Sequence, residues 1–250
     1  MYLDKDKIIL RKLAWLFLLF VVVCVAAGAS RIATSGFNFV VCFDILRVRE
    51  LLSMFVFAPL ICLIFWLFNR TLSQGQNLWF MDLICLLAIY CVACGMGIHD
   101  PANRLLSAYR SGGMMSANVR RSILFIDDHL GHWVFWCGFV LGSWCMGLQQ
   151  LRTPLKNRMR LHWAVIFLSV SLVLLGVILT NLWDEYPKTF ADLGVIGAAV
   201  APLLAAHLIF ARKVSLLRLP VLCVIYPAYI GSVVGTLLCW QLRHGIFWGS

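Results

Sequence analysis

Charged residues are scarce in this sequence. Asp, Glu, Lys and Arg make up 13% of its 250 residues, whereas a soluble domain contains roughly 25%. Hydrophobic residues account for 62% of the chain, and the few charges gather in short clusters between long apolar runs. This composition excludes an ordinary soluble domain and predicts an integral, multi-pass membrane protein.

Linkers, low-complexity stretches and obvious repeats are also missing, so we expect a single transmembrane domain over residues 1–250. Acidic residues are few, 11 against 21 Lys and Arg, which gives a net charge of +10. In a soluble protein that excess would suggest nucleic acid. Here the basic residues cluster at the ends of apolar runs, where they set topology and contact anionic lipid. The expected partner is therefore the lipid bilayer, and no nucleic acid is expected.

The ten cysteines do not indicate a disulfide framework. All of them except Cys42 lie within apolar runs, where a free cysteine behaves as a small apolar residue. Cys91 and Cys94 form a CxxC pair, but no second pair accompanies it.

Seven apolar runs are each about the 20 residues that an α-helix needs to cross a bilayer. The sequence therefore predicts an all-α, polytopic membrane helix bundle with about seven transmembrane helices. The predicted spans are Leu13–Ala29, Leu51–Phe68, Leu78–Ile98, Asp127–Leu148, Leu161–Leu182, Ala191–Ala211 and Leu217–Trp240.

The first run resembles a signal peptide, because basic residues precede it and the small-residue segment AAGAS follows it. Its apolar core is long for a signal, which favours an uncleaved anchor. The basic residues are denser on the side that carries the N-terminus, and the acidic residues collect on the other side. The prediction is a cytoplasmic N-terminus and a C-terminus outside.

The most polar segment within the spans is FIDDHLGHW, at the predicted start of the fourth span. It contains Asp127, Asp128, His129 and His132. The third span ends in CGMGIHDPAN, which contains His99. Consecutive spans meet at the same face of the membrane, so we expect His99 to lie near the second motif. At about 100° per residue, Asp128, His129 and His132 share one helix face.

The same geometry turns Asp127 away from that face. Asp127 is therefore expected to be an N-cap or first-turn acid that the helix dipole favours. The remaining groups predict a metal site at the outer membrane face, with ligands His99, His129, His132 and Asp128. Imidazole and carboxylate suit Zn, with Fe or Cu as alternatives. Asp128 is either the fourth ligand or the general base.

Two other interpretations stay open. The four groups lie close to the interface, where a hydrated hydrogen-bond network without metal would also satisfy them. Pairing His99 with His132 and His162 with His207 would resemble the two haem sites of a cytochrome b561-type bundle. In the neighbouring loops, the segment Pro101–Ile126 has an amphipathic, basic composition suited to an anionic lipid or a lipid-like substrate. Asp184 and Glu185 are interpreted as part of a solvated turn, and the alternative is that one of them adds a carboxylate to the site.

The motifs GMGIHDPAN and IDDHLGH, together with the number of spans, resemble the CREST superfamily. This group contains the alkaline ceramidases and the progestin/adiponectin-type receptors. The resemblance implies zinc-dependent amide hydrolysis of a lipid, with His99 and Asp128 as the matching residues. The late His-x-x-x-His of that family is absent, Gly95 replaces its expected Ser, and the paired histidines occur instead as His129 and His132.

The leading hypothesis is a membrane metalloenzyme that acts on a lipid or other apolar substrate at the outer leaflet. Hydrolysis is favoured, and oxidation is possible with Fe or Cu. The rival is a non-enzymatic protein, such as a haem-binding electron carrier, a transporter or an assembly factor. The spans carry few polar groups at their centres, which argues against a transporter.

Overall fold

The computed structural model describes residues 5–33, 40–42, 46–76, 78–109, 115–182 and 190–244. These residues are mostly helical, and a short antiparallel pair, β1 (Val40–Cys42) and β2 (Leu46–Arg47), follows the first helix. The helices are α1 (Lys5–Ala33), α2 (Val48–Leu52), α3 (Ala58–Ser73), α4 (Trp79–Tyr109), α5 (Ala117–Phe125), α6 (His132–Arg152), α7 (Leu161–Leu182), α8 (Phe190–Phe210) and α9 (Pro220–His244).

Two π-helical segments join neighbouring helices without a break in the chain direction. Ser53–Phe57 connects α2 to α3, and Ile126–Gly131 connects α5 to α6. The second span is therefore one helical rod from Val48 to Ser73. The second π-helical segment contains the Asp/His motif.

Six of the described helices are long and apolar enough to cross a membrane, and α6 passes through the bundle as a seventh. Contacts at one end of the bundle are consistent with successive long helices that run in opposite directions. Near the start of α1, Asp6 Oδ2 accepts a hydrogen bond from the backbone of Asn157 in the α6–α7 loop at 3.0 Å. Arg218, just before α9, donates to the carbonyl of Leu155 at 2.6 Å. These contacts define the Asn69 end of the bundle, and the opposite end is called the His99 end. The predicted membrane helix bundle is confirmed.

Helix α6 is less apolar than the other six because protein surrounds it. It packs against α3, α4, α8 and α9, and its Ser143, Gln149 and Gln150 are buried. Gln150 Oε1 accepts a hydrogen bond from the backbone N–H of Val221 at 2.7 Å. With 21 residues and a rise of about 1.5 Å each, α6 is about 31 Å long, which matches a bilayer core of about 30 Å.

The first apolar run packs as a bundle helix. The ring of Phe17 lies 4.6 Å from that of Phe68 and 6.0 Å from that of Phe167, measured between centroids. Leu13 on the same helix is fully buried. This packing against α3 and α7 favours the uncleaved anchor.

Glycines bring α4 and α6 into close contact. A Cβ added at Gly138 would lie 2.7 Å from the backbone N of Val92, and one added at Gly95 would lie 2.5 Å from the backbone N of Phe135. Both distances are shorter than real carbon contacts. The small-residue packing expected from the sequence is thus present, and it sets the spacing of the two helices that carry the Asp/His motif.

A buried polar network holds the Asn69 end together. Asn69, fully buried, donates from Nδ2 to Asp82 Oδ1 at 2.5 Å. Its Oδ1 accepts from Gln149 Nε2 and, at 3.4 Å, from Cys145 Sγ. The network ties α3, α4 and α6 to one another, because each of its amide groups would be costly to leave unpaired in an apolar interior.

Replacing Gly95 with Ala is expected to destabilise the bundle by about 1–3 kcal/mol, because the new methyl group overpacks the α4–α6 contact. Gly97→Ala on the same helix is the matched control, since a Cβ there meets no atom within 4 Å. The measurement is reversible unfolding in mixed micelles, followed by circular dichroism. Equal destabilisation by the two substitutions would contradict this account of the packing.

Candidate active site at the His99 end

The Asp/His motif lies well inside a helical segment. The segment begins at Ala117, and the N-cap residue is Ser116, whose side chain accepts a hydrogen bond from the backbone N–H of Val119 at 3.4 Å. Residues 117–122 are exposed, as expected of a polar helix at the membrane interface. The prediction that Asp127 lies at the helix start is therefore wrong, because the sequence before it carries its own cap.

The π-helical segment changes where the motif side chains point. Residues 126–131 form this segment, and a π-helix pairs residues five apart, so the spacing of about 100° per residue does not apply here. Asp127 is buried, and its Oδ1 lies 2.7 Å from His99 Nδ1. Its backbone oxygen lies 3.4 Å from the same nitrogen. The residue that the sequence excluded from the site is thus the direct partner of His99.

Gly131 lets α4 and the π-helical segment approach at this point. A Cβ on Gly131 would lie 2.9 Å from the Cβ of His99. The His99 ring also contacts the ring of His132, with centroids 4.6 Å apart and planes at 74°. The predicted proximity of the two motifs is confirmed, and it depends on a residue without a side chain.

The contact with Asp127 fixes the chemistry of His99. A carboxylate beside Nδ1 favours the tautomer that carries its proton on that nitrogen, and it leaves Nε2 as an acceptor. Carboxylate–imidazole pairs of this kind serve as general bases in hydrolases.

His129 points away from this pair. Its ring lies between those of Phe125, at 5.8 Å, and Trp133, at 5.6 Å. Both aromatic residues are exposed at the surface of the bundle. These three residues form an outward stripe, so His129 does not join the other predicted ligands.

Asp128, His99 and His132 line the mouth of one partly enclosed cavity of about 750 Å³. Its walls come from α1, α2, α3, α4, α6, α7 and α9 and from both π-helical segments. Below the mouth the lining is mostly apolar and aromatic; examples are Phe20, Phe65, Phe135, Trp136, Phe139, Met146 and Ile225. From His132 to Met146 the wall extends about 21 Å along α6.

The mouth also contains charges that the sequence did not single out. Arg49 lines the cavity and its Nε lies 2.5 Å from Glu50 Oε1. The other carboxylate oxygen of Glu50 accepts from the backbone N–H of Arg47 at 2.8 Å. Asp100, one residue after His99, lines the same mouth and is buried. Charges of both signs therefore surround the histidines.

Three of the four predicted metal ligands thus share the cavity mouth. Within the described ranges, however, no three His, Cys, Asp or Glu side chains are grouped so that they could hold a metal ion. Zinc binding stays a prediction. Asp184 and Glu185, the alternative source of a carboxylate for the site, lie outside the described residues.

The histidines of the proposed haem pairs have other contacts. His207, at the Asn69 end, stacks on Tyr226 with centroids 6.1 Å apart, and its Nε2 lies 3.3 Å from the carbonyl of Val214. His162 is exposed and packs on Trp163. At the other end, the rings of His99 and His132 contact each other directly, and haem binding stays a prediction.

The Asp127–His99 contact predicts a single tautomer. We expect ¹⁵N NMR of histidine-labelled protein in bilayers to show His99 protonated at Nδ1 when it is neutral. Asp127→Ala removes the carboxylate and leaves only the backbone oxygen of residue 127 near Nδ1, so we expect a partial shift of His99 toward the other tautomer, whereas the His129 signals stay unchanged. A neutral His99 protonated at Nε2 in the wild-type protein would contradict the assignment.

Comparison with known proteins adds no further constraint. The sequence matches no family model, and neither curated proteins nor solved structures show significant similarity to it. The resemblance to the CREST superfamily therefore stays a prediction. Function has to be argued from the chemistry of the site itself.

Proposed function

We propose that this protein is a membrane-embedded enzyme that acts on the polar end of a single-chain amphipathic lipid. The observation that carries the proposal is the position of the His99–Asp127 pair. His99 of this pair lines the polar mouth of a cavity whose remaining walls are mostly apolar, and Asp127 holds it from behind. A ligand that fills both parts must have a polar head and an apolar tail.

The dimensions of the cavity fit one acyl chain. One leaflet contributes about half of a bilayer core of about 30 Å, so a single chain extends about 15 Å. The apolar wall along α6 is about 21 Å long, which accommodates such a chain. The volume of about 750 Å³ falls within the range of about 300–1,000 Å³ for small-molecule sites.

The pair at the mouth supports hydrolysis of an ester or amide near the lipid head. His99 Nε2 takes a proton from water, and the resulting hydroxide attacks the carbonyl carbon. The bond from that carbon to the leaving oxygen or nitrogen then breaks, and His99 or the neighbouring His132 returns the proton to the leaving group. Asp127 holds His99 in position and stabilises its charged form during the reaction.

The charge distribution of the loops places this mouth at the leaflet away from the cytoplasm. That orientation stays a prediction, and the hydrolytic chemistry does not depend on it. His99 and His132 lie together at one end of the bundle. Both would therefore be close to the lipid headgroups of the leaflet that this end faces.

A zinc-dependent form of the same reaction is the second candidate, and one observation favours it. A carboxylate on Nδ1 is the usual support for an imidazole whose Nε2 binds a metal, and His132 and Asp128 line the same mouth. The side chains would have to converge on one ion at about 2.0–2.2 Å. Such convergence requires rearrangement of the described side chains, so the metal-free form is preferred.

The proposal predicts the effect of removing the pair. With the protein in nanodiscs, we expect hydrolysis of a monoacylglycerol or an N-acylethanolamide to fall about 100-fold or more in His99→Gln and in Asp127→Ala, because general base catalysis is lost. His129→Gln is the matched control and is expected to retain activity, since its ring faces outward. Product release is measured by mass spectrometry. Normal turnover in His99→Gln would refute the assignment.

Metal analysis separates the two candidates. If the pair acts without metal, turnover survives prolonged treatment with a chelator, and the purified protein carries zinc well below one ion per chain. The opposite pattern would establish the zinc-dependent form: one zinc per chain, lost in His132→Ala, retained in His129→Ala, and required for turnover.

A further inference from the structure

Two hydroxyl groups face each other deep in the cavity, far from its polar mouth. Ser143 on α6 and Tyr229 on α9 both line the cavity and are buried. The distance between Ser143 Oγ and Tyr229 Oη is 2.9 Å, a direct hydrogen bond in which either atom can be the donor. The nearby walls are formed by apolar residues such as Phe139, Met146 and Ile225. Two polar groups in such apolar surroundings are unfavourable unless their hydrogen bonds are satisfied.

The two hydroxyls of this pair can form more hydrogen bonds than the one that joins them. Each hydroxyl supplies one donor hydrogen and can accept further bonds. Their mutual bond uses only one of the two hydrogens. Among the described residues, neither oxygen has another hydrogen-bond partner. One donor therefore remains for an acceptor inside the cavity, where its burial without a partner is unfavourable.

Other buried hydroxyls of the bundle behave differently. Ser171 Oγ donates to the carbonyl of Val224 at 2.8 Å, and Tyr226 Oη donates to the carbonyl of Leu203 at 3.1 Å. Each of these uses its hydrogen on a backbone carbonyl, and neither residue lines the cavity. They act as clamps between helices. The Ser143–Tyr229 pair differs in both respects. One of its hydrogens has no protein acceptor among the described residues, and both residues line the cavity.

We infer that Ser143 and Tyr229 form a subsite that binds an oxygen atom on the tail of the lipid ligand. This inference rests on the proposed function, because it requires an acyl chain in the cavity. It narrows the substrate class to single-chain lipids that carry a hydroxyl, keto or similar oxygen far from the head. A plain saturated chain would leave the spare donor unpaired and bind less tightly.

The position of that oxygen follows from the helix. Ser143 lies eleven residues after His132, which is about 16 Å along α6. Carbon–carbon bonds of about 1.5 Å advance an extended chain by about 1.3 Å each. The subsite therefore corresponds to roughly the twelfth or thirteenth carbon from a carbonyl held at the mouth. An oxygen near the head, for example on the second carbon, would not reach it.

The experiment compares three monoacylglycerols on protein in nanodiscs. Their chains are octadecanoyl, 12-hydroxyoctadecanoyl and 2-hydroxyoctadecanoyl. Binding is measured by competition against a photoreactive monoacylglycerol with a diazirine near the chain end, and the labelled peptides are identified by mass spectrometry. We expect the 12-hydroxy chain to compete about three- to tenfold better than the other two, the value of one neutral hydrogen bond.

The variants assign that preference to the pair. The double variant Ser143→Ala/Tyr229→Phe removes both hydroxyls and is expected to abolish the preference, whereas each single variant leaves one hydroxyl that can still donate to the chain oxygen. Ser171→Ala and Tyr226→Phe are the matched controls and are expected to keep the preference. Retention of the preference in the double variant would overturn the inference.

The labelling result separates failure of the oxygen subsite from failure of the proposed lipid-binding cavity. If the probe labels peptides of the cavity wall but the wild-type protein shows no preference for the 12-hydroxy chain, the subsite fails and the lipid cavity stands. If the probe does not label the cavity wall, and no monoacylglycerol competes with it, both the cavity ligand and the subsite are overturned.

Discussion

The close packing of α4 against α6 is the constraint on which the rest of the structure depends. Gly95, Gly131 and Gly138 remove the side chains that would keep the two helices apart. At the His99 end, this contact brings His99 to Asp127 and His132. At the other end, it lets Asn69 bridge Asp82 and Gln149. The candidate active site and the structural polar network are thus two ends of one helix interface.

Much of the fold could be predicted from the sequence, because bilayer thickness sets helix length and apolar composition directly. The meeting of His99 with the second motif followed from the same reasoning. The partner of His99 did not, since a regular α-helix turns Asp127 away from the shared face. The π-helical segment reverses the roles of Asp127 and His129, and nothing in IDDHLG distinguishes it from α-helix by pattern alone.

The pair of Ser143 and Tyr229 could not be predicted for another reason. The two residues are far apart in sequence, and each is an isolated polar residue within an apolar run.

The cavity separates two kinds of polar contact within the apolar bundle. Bonds such as that of Tyr226 to a backbone carbonyl are complete within the protein and hold helices together. The residues at the cavity wall, namely His99, Ser143 and Tyr229, are the ones to which we assign ligand contacts. A polar group without a partner is unfavourable in an apolar interior. Polar groups that lack a protein partner and line one cavity are therefore the feature that distinguishes a binding site from structural packing.

The burial of α6 has a consequence for how the chain enters the membrane. A helix with two glutamines and several glycines among its buried residues partitions into lipid less readily than its six neighbours do. We therefore expect its insertion to need a partner helix, and α4, which precedes it and packs most extensively against it, is suited to enter with it. A count of apolar segments alone gives six passes and places both chain ends on one side of the membrane. A seventh pass by α6 would place them on opposite sides, as the charge distribution of the sequence predicts.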